Sequence, residues 1–226
     1  MIYVIGVGPG SPEYLTLKAK NEIESADIVA GFKPALNTVR EFVRGEIVEI
    51  PDYARESELL KYVADKSHNK KCVFCCTGDP DFSDSQLLEK IALLTEIEIV
   101  PGISSVQVAA SKARVAFENS AFISFHKRGS IEGQKREILS RIKENKDVIL
   151  LPRPYDFMPE EIAKYLTGNG ISPDTRAIIF ENLTMDEREH HKSLKEIEGE
   201  FSDLCIMVIS KGVLDERLPH HLCSNG

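Results

Sequence analysis

The sequence predicts an α/β protein of two domains, each built on a mostly parallel or mixed sheet with flanking helices. Three observations predict it. Short β-branched apolar runs alternate with stretches of helical apolar spacing along most of the chain. Glycine and proline recur directly after those runs, where loops leave strand ends. The alternation then restarts with shorter helices, which divides the chain into 1–113 and 114–226. A chain of 226 residues buries roughly 70% of its unfolded surface, enough to fold without disulfide or metal.

In the first domain, residues 2–6 read as a strand broken by Gly8-Pro9-Gly10-Ser11-Pro12. Leu15, Ala19, Ile23 and Ala26 mark a helix with Thr16 as its cap. Asp27-Ile28-Val29-Ala30 is a strand ended by Gly31, and Leu36, Val39 and Val43 a helix closed by Gly45. Residues 46–50 form a strand ended by Pro51, and 56–66 a helix. The strand 71–76 ends at Thr77-Gly78-Asp79-Pro80 and leads to a helix through Leu87, Leu88, Ile91 and Leu94, capped by Ser83 or Asp84. The strand 97–100 ends at Pro101-Gly102, and a short helix runs to Ala113. In the second domain, 120–125, 147–151, 175–181 and 204–210 read as strands. Helices lie over Ile138–Ile142 and 159–167, with Pro159 in the first turn of the latter. The charged stretch 183–200 has room for an extra strand and a short helix, and strand direction here is more mixed.

Composition narrows the functions. The chain carries 28 basic and 36 acidic side chains, a formal charge of −8. Residues 1–112 hold 12 basic and 17 acidic groups and the remainder 16 and 19, so neither half is basic. That argues against non-specific nucleic-acid binding. No apolar run approaches the ~18 residues of a membrane span, and no basic leader precedes the first strand, which reads as cytoplasmic. Five cysteines without a secretory signal read as reduced thiols. Cys72 and Cys76 would share one strand face and Cys75 the other, a poor tetrahedral metal set. His190-His191 reads as a charged loop and His220-His221-Leu222-Cys223 as a tail; no metal site is expected.

The turns carry the functional signal, because ligands of open α/β sheets bind at strand C-termini. Gly6-Val7-Gly8-Pro9-Gly10 lacks the third glycine of a dinucleotide fingerprint, and Pro9 has no N–H for a pyrophosphate. It reads as a tight loop that lets a flat ligand approach the backbone. Thr77-Gly78-Asp79-Pro80-Asp81-Phe82, with Asp84, offers acidic groups to ligand hydroxyls or an amine, or else is a solvated loop. Pro101-Gly102-Ile103-Ser104-Ser105 offers hydroxyls and N–H groups to a carboxylate or ribose, or else plain helix capping. His126-Lys127-Arg128 and Arg153 also follow strands, where cations face an anionic substrate or simply the solvent.

Together, Val4 to Pro12 with Leu15-Thr16, Gly78-Asp79-Pro80, Pro101 to Ser105 and Glu181-Asn182-Leu183-Thr184 resemble the tetrapyrrole methylase family in order and spacing. The run Pro101-Gly102-Ile103-Ser104-Ser105-Val106-Gln107-Val108-Ala109-Ala110, continuing at Phe122-Ile123-Ser124-Phe125-His126, is most similar to members that methylate carbon 5 of the corrin ring. Where related enzymes often follow Gly-Asp-Pro with a glycine and an aromatic, this chain has Asp81-Phe82-Ser83-Asp84.

The resemblance implies a two-domain tetrapyrrole-methylase-like fold, a homodimer, and S-adenosylmethionine folded into a cleft between the domains. It implies methyl transfer to carbon 5 of a cobalt-precorrin in cobalamin biosynthesis. Cofactor contacts would come from Pro9, Asp79, Phe82, Ser105, Val106, Leu151, Asn182 and Asp203. Gly8 and Gly10 would lie beside the tetrapyrrole, and Lys33, His126, Lys127, Arg128 and Arg153 would meet its carboxylates. A dedicated base is not required for the transfer itself; Asp79, Asp81 and His126 stand equal as proton acceptors. Other readings stay open: a methylase acting at another ring carbon or on another substrate, an adenosine-ligand-binding protein without turnover, and a cobalt carrier using the histidine clusters.

Overall fold

The computed structural model describes residues 1–82 and 84–210. By contact the chain divides into two units. Unit 1 is Met1–Val108 with Leu183–Asp186, and unit 2 is Ala109–Asn182 with the chain from Glu187 onward. The division falls inside the helix that ends at Ala113, five residues before the boundary the sequence indicates, and it returns a four-residue segment to unit 1.

Unit 1 is a five-stranded, wholly parallel sheet. Its strands are β1 (Ile2–Gly6), β2 (Ile28–Phe32), β3 (Glu46–Ile50), β4 (Cys72–Cys76) and β5 (Ile97–Val100), in the order β3-β2-β4-β1-β5. The helices are α1 (Leu17–Glu24), α2 (Lys33–Val39), α3 (Glu56–Lys66), α4 (Ser85–Ala92) and the start of α5 (Ser105–Ala113). Both sheet faces are buried, which is why the strands read as unbroken apolar runs. Ile2, Val4, Cys72, Phe74 and Cys76 pack with Leu60 and Val63 of α3 and Ile91 of α4. Ile5, Val7, Val73 and Cys75 pack on the other face with Ala19 and Ile23 of α1 and Leu36 and Val39 of α2. Each such aliphatic side chain contributes about 1.5–3 kcal/mol.

The cysteines divide between the faces as the alternation requires. Cys72, Cys75, Cys76 and Cys205 are free and buried. Burial pushes the Cys75 and Cys205 thiols up to about 12, so they stay protonated and inert. Cys223 lies outside the described residues. Thr16 caps α1 by accepting the Ala19 N–H at 3.1 Å, as the sequence indicates. Gly31 does not end its strand but lies within β2. A β-carbon there would come 2.8 Å from the Cys75 carbonyl, so the glycine answers a close approach rather than a turn.

Unit 2 is a mixed sheet of β6 (Ser120–Ser124), β7 (Asp147–Leu151), β8 (Arg176–Glu181), β9 (Arg188–Ser193) and β10 (Cys205–Ser210), in the order β6-β7-β10-β8-β9. Only β6 and β7 run parallel; β10 is antiparallel to both β7 and β8, and β9 to β8. Helices α6 (Glu132–Lys143) and α7 (Pro159–Gly168) cover one face through Ile138, Ile142, Ile162 and Leu166. The charged stretch holds the extra strand β9 and a 3-10 turn at Leu194–Glu196. His190 and His191 therefore stand in a strand, not in a loop. No described helix is long and apolar enough to cross a membrane.

Candidate functional site

Two rims gather the residues the sequence singles out. In unit 1, β1 and β4 are neighbours, yet β1 feeds α1 on one face while β4 feeds α4 on the other. Divergence of that kind marks the switch point where open sheets bind ligands. The loops after β1, β4 and β5 meet there backbone to backbone. Gly8 and Gly78 form an antiparallel bridge, with N···O distances of 3.3 and 2.7 Å. A β-carbon on Gly6 would come 2.5 Å from the Gly78 carbonyl oxygen, and one on Gly102 2.2 Å from the same atom. These positions accept glycine alone.

Asp79 ties this rim together. One carboxylate oxygen accepts the Gly102 N–H at 2.9 Å and the other the Asp81 N–H at 2.9 Å. Asp81 is exposed. Asp84 is turned inward and accepts a hydrogen bond from the Cys76 thiol; burial raises its pKa to about 6, against that bond. Asp84 is thus the N-cap residue of α4 without making a side-chain cap bond. Ser83 lies outside the described residues. At the start of α5, Ser104 and Gln107 form a reciprocal capping box: Ser104 Oγ accepts the Val106 N–H and Gln107 Oε1 the Ser104 N–H. The capping reading thus holds for Ser104, while the Ser105 hydroxyl makes no hydrogen bond among the described residues.

The segment Leu183–Asp186 closes unit 1 from afar. Thr184 Oγ1 accepts the Ser11 N–H at 3.0 Å, and the Met185 side chain fills the space over Gly10. Thr184 holds φ at 70° and Asn182 at 50°. A β-branched residue in the left-handed region is strained by about 1–3 kcal/mol.

The rim of unit 2 lies at the ends of β6, β7 and β8 and the start of β10. Glu181 is its hub. Its carboxylate, 2% exposed, accepts the Ser202 N–H at 2.6 Å, Arg188 Nη2 at 3.1 Å and a bond with His190 Nε2 at 2.7 Å. Burial opposes its charge, but Ser202, His190 and Arg188 outweigh burial and hold its pKa below the usual value. The sequence reading missed this role; its visible signal was a carboxylate ending an apolar strand opposite Arg188 and near His190. Asn182 Oδ1 accepts the Ser202 hydroxyl at 2.9 Å.

His126 follows β6. Its Nε2 is buried and has no partner among the described residues, while the ring bonds to the Pro152 carbonyl, which assigns that bond to Nδ1–H. Burial lowers its pKa, against the Pro152 carbonyl and the nearby Asp203 charge, so the ring is neutral near pH 7 with its Nε2 lone pair unused. Arg153 is committed inward: it grips Asp156 through Nε and Nη2 at 2.6 Å each and donates to the Gly129 carbonyl at 2.9 Å. Lys33 is exposed at the end of β2, and Lys127 and Arg128 lie in the loop after β6. Pro9 and Gly8 are buried. No described group of three or more His, Cys, Asp or Glu could hold a metal. His220, His221 and Cys223 lie outside the described residues.

The family model for Tetrapyrrole (Corrin/Porphyrin) Methylases matches residues 1–198. The chain belongs to the tetrapyrrole methylase family. The methylase is 40% identical over 213 residues to the probable cobalt-precorrin-7 C(5)-methyltransferase of Methanocaldococcus jannaschii, covering 92% of this chain and 97% of that protein. It is 23% identical over 223 residues to the cobalt-precorrin-4 C(11)-methyltransferase of the same organism, covering 94% and 83%. Among solved structures, the methyltransferase CobJ superposes with a TM-score of 0.77 at 18% identity, over 92% of this chain and 93% of that one. The precorrin-6Y methylase of Archaeoglobus fulgidus gives 0.70 at 24%, over 94% and 99%. These likenesses confirm the fold. In the methylase, Pro9, Asp79, Phe82, Ser105 and Val106 fall on the unit 1 rim, and Leu151, Asn182 and Asp203 on the unit 2 rim.

Proposed function

We propose that this methylase transfers the methyl group of S-adenosylmethionine to ring carbon 5 of cobalt-precorrin-7 in cobalamin biosynthesis, as a cytoplasmic homodimer. The observation that carries the ring position is the 40% identity, over nearly all of both chains, with the M. jannaschii relative of that name. That one cofactor draws on residues of both rims is part of the proposal and rests on the motif resemblance.

The residues present fit an adenosine-type cofactor. The glycine-lined meeting of three loops lets a flat ligand lie against backbone, and Ser105, whose hydroxyl makes no hydrogen bond among the described residues, stands beside it at the start of α5. When bound, S-adenosylmethionine supplies a methyl group already activated by its sulfonium, which the enamine-like ring carbon attacks as the C–S bond breaks. The chain's task is positioning: Asp79 fixes the β4 and β5 loops to one another so that the reacting atoms can be held at about 3–3.5 Å. Methylation leaves a cationic ring that sheds a proton. Asp79 spends both oxygens on backbone N–H groups and Asp81 is exposed, whereas His126 Nε2 carries an unused lone pair. His126 takes the proton in this scheme. Lys33, Lys127 and Arg128 supply the positive charge for the ring carboxylates, and Arg153 shapes the loop that carries two of them.

Incubation with cobalt-precorrin-7 and methyl-labelled cofactor should give one labelled methyl at carbon 5 by NMR; label at another carbon, or none, rejects the reading. His126→Gln should lower kcat by about 100-fold. Because neutral His126 is the active form and its pKa lies below 6.5, the wild-type rate should fall on the acid side of that value. The variant should lose that limb. Arg128→Ala should raise KM for the tetrapyrrole about tenfold while calorimetry shows unchanged S-adenosylhomocysteine affinity.

A further inference from the structure

At the opposite end of β8 and β9 from the Glu181 hub, unit 2 carries a groove of about 620 Å³. The groove's residues on β8, Arg176 to Ile178, precede Asn182 by four to six positions, about 13–20 Å along the strand. Ile178 lies in its wall, and charged side chains from the end of α5, the start of β8 and the end of β9 surround it. Its volume falls in the ~300–1,000 Å³ range of small-molecule sites.

The charges are unevenly matched. Lys112 pairs with Glu187 at 2.7 Å and Lys195 with Asp174 at 2.6 Å, so these two are neutralised. Arg114 and Arg176 make no ion pair or hydrogen bond through their side chains among the described residues. Lys192 donates only to a carbonyl oxygen, that of Glu196, at 3.0 Å. The Glu196 carboxylate is engaged by Ser193, both N–H and hydroxyl. That carboxylate keeps its charge beside Lys192 and Lys195 and offsets part of theirs, so Arg114 and Arg176 are the two cations that face the space without a carboxylate partner among the described residues, on a chain whose net charge is −8. Arg114 is also placed at a conformational cost. Hydrogen bonds from Val115 N–H to the Ala110 carbonyl and from Arg114 N–H to the Ser111 carbonyl close α5, with Arg114 at φ 53°. Glycine is the residue that position favours.

The geometry points to a second binding site in this groove, for a small anion bearing at least two phosphate or carboxylate groups. Guanidinium forks suit either group, since both accept bidentate bonds. The site is separate from the methyl-transfer rims and does not depend on that assignment.

Calorimetric titration of the full chain with tripolyphosphate and with citrate tests it. Wild-type protein should bind at least one, more weakly as salt rises. Preference for tripolyphosphate assigns a phosphate ester, and preference for citrate a polycarboxylate. Arg114→Gly and Arg176→Gln should each weaken binding by about tenfold, with S-adenosylhomocysteine affinity unchanged. Arg141→Gln, on the surface of α6 and paired with Glu137 and Glu144, is the charge-matched control and should bind like wild type. Arg114→Gly should melt no lower than wild type, so a folding defect cannot mimic the result. No binding of either anion, equal affinity in all four proteins, or an equal loss in Arg141→Gln overturns the proposal. So does a change of oligomeric mass in Arg114→Gly, which would make the groove an interface between copies.

Discussion

The two rims solve one problem with different materials. Unit 1 builds its rim from backbone: Gly6, Gly78 and Gly102 meet without side chains, and Asp79 clamps two amides. Unit 2 builds its rim from side chains: Glu181 collects Arg188, His190 and the Ser202 amide, and His126 leans on the Pro152 carbonyl. A parallel sheet sends every strand toward the same edge, so its loops crowd and glycine relieves the crowding. An antiparallel sheet brings strand starts and ends together at one edge, so β8, β9 and β10 can place partners for a single buried carboxylate. The backbone rim should therefore be intolerant of added atoms, and the side-chain rim intolerant of removed ones.

Gly102→Ala should have the largest effect. Its β-carbon would come 2.2 Å from the Gly78 carbonyl oxygen, and neither backbone can yield cheaply. A loss of about 3 kcal/mol or more is expected in urea unfolding, at the upper end of overpacking costs. A well-tolerated alanine would break the comparison. Glu181→Ala should come next, with a loss of about 2–3 kcal/mol. It strands the Ser202 amide and His190, but Arg188 is 63% exposed and keeps its water. Asp84→Asn should have the smallest effect and the opposite sign. Asp84 has its pKa raised to about 6 in the folded chain from 3.8, so its contribution is full below 3.8 and is lost as pH rises through about 6. At pH 7 the charged form is a burden that asparagine removes. A gain of about 1–2 kcal/mol at pH 7, fading by pH 4, is expected from unfolding at both values. A stability difference that does not change with pH would show that burial of the Asp84 charge is not what the substitution relieves.

Local periodicity was enough to place nine of the ten strands and the seven α-helices among the described residues, because both sheets are made of short runs with sharp turns; β9 fell in the charged stretch 183–200, where the sequence left room for a strand without placing it. The parallel character of the first unit was legible from the helical stretch between successive strands, since a parallel crossover needs a dozen or more residues. The expected shorter helices of the second are not found, since α6 and α7 have 12 and 10 residues, and its mixed character comes from β8, β9 and β10, which are linked without an α-helix. Contacts distant in the chain were not legible. Thr184 meets Ser11 across 173 residues, and no local pattern announces it. Gly31 looked like a strand stop because a glycine that admits a neighbouring carbonyl is indistinguishable in sequence from one that turns the chain. Arg153 looked free because its partner Asp156 lies in a hairpin-like turn, the bridge between Arg153 and Phe157, that the run of prolines and aromatics does not declare. Of the proton-acceptor candidates, the sequence could name Asp79, Asp81 and His126 but not rank them; their burial and hydrogen-bond partners, on which the proposed choice of His126 rests, are set by the fold.

The strand order has a consequence for how the molecule is made. Strand β1 is made before the other strands of its unit, yet its two partners are β4 and β5, which begin at Cys72 and Ile97. The apolar edges and faces of β1 must wait for some hundred residues of synthesis before they can be paired. The last piece of the same unit, Leu183–Asp186, is translated only after β6, β7 and β8 of the other. Vectorial synthesis thus delivers the loop around Gly10 early and its Thr184 latch late. A nascent chain halted before residue 183 would carry a complete parallel sheet with an unfastened rim.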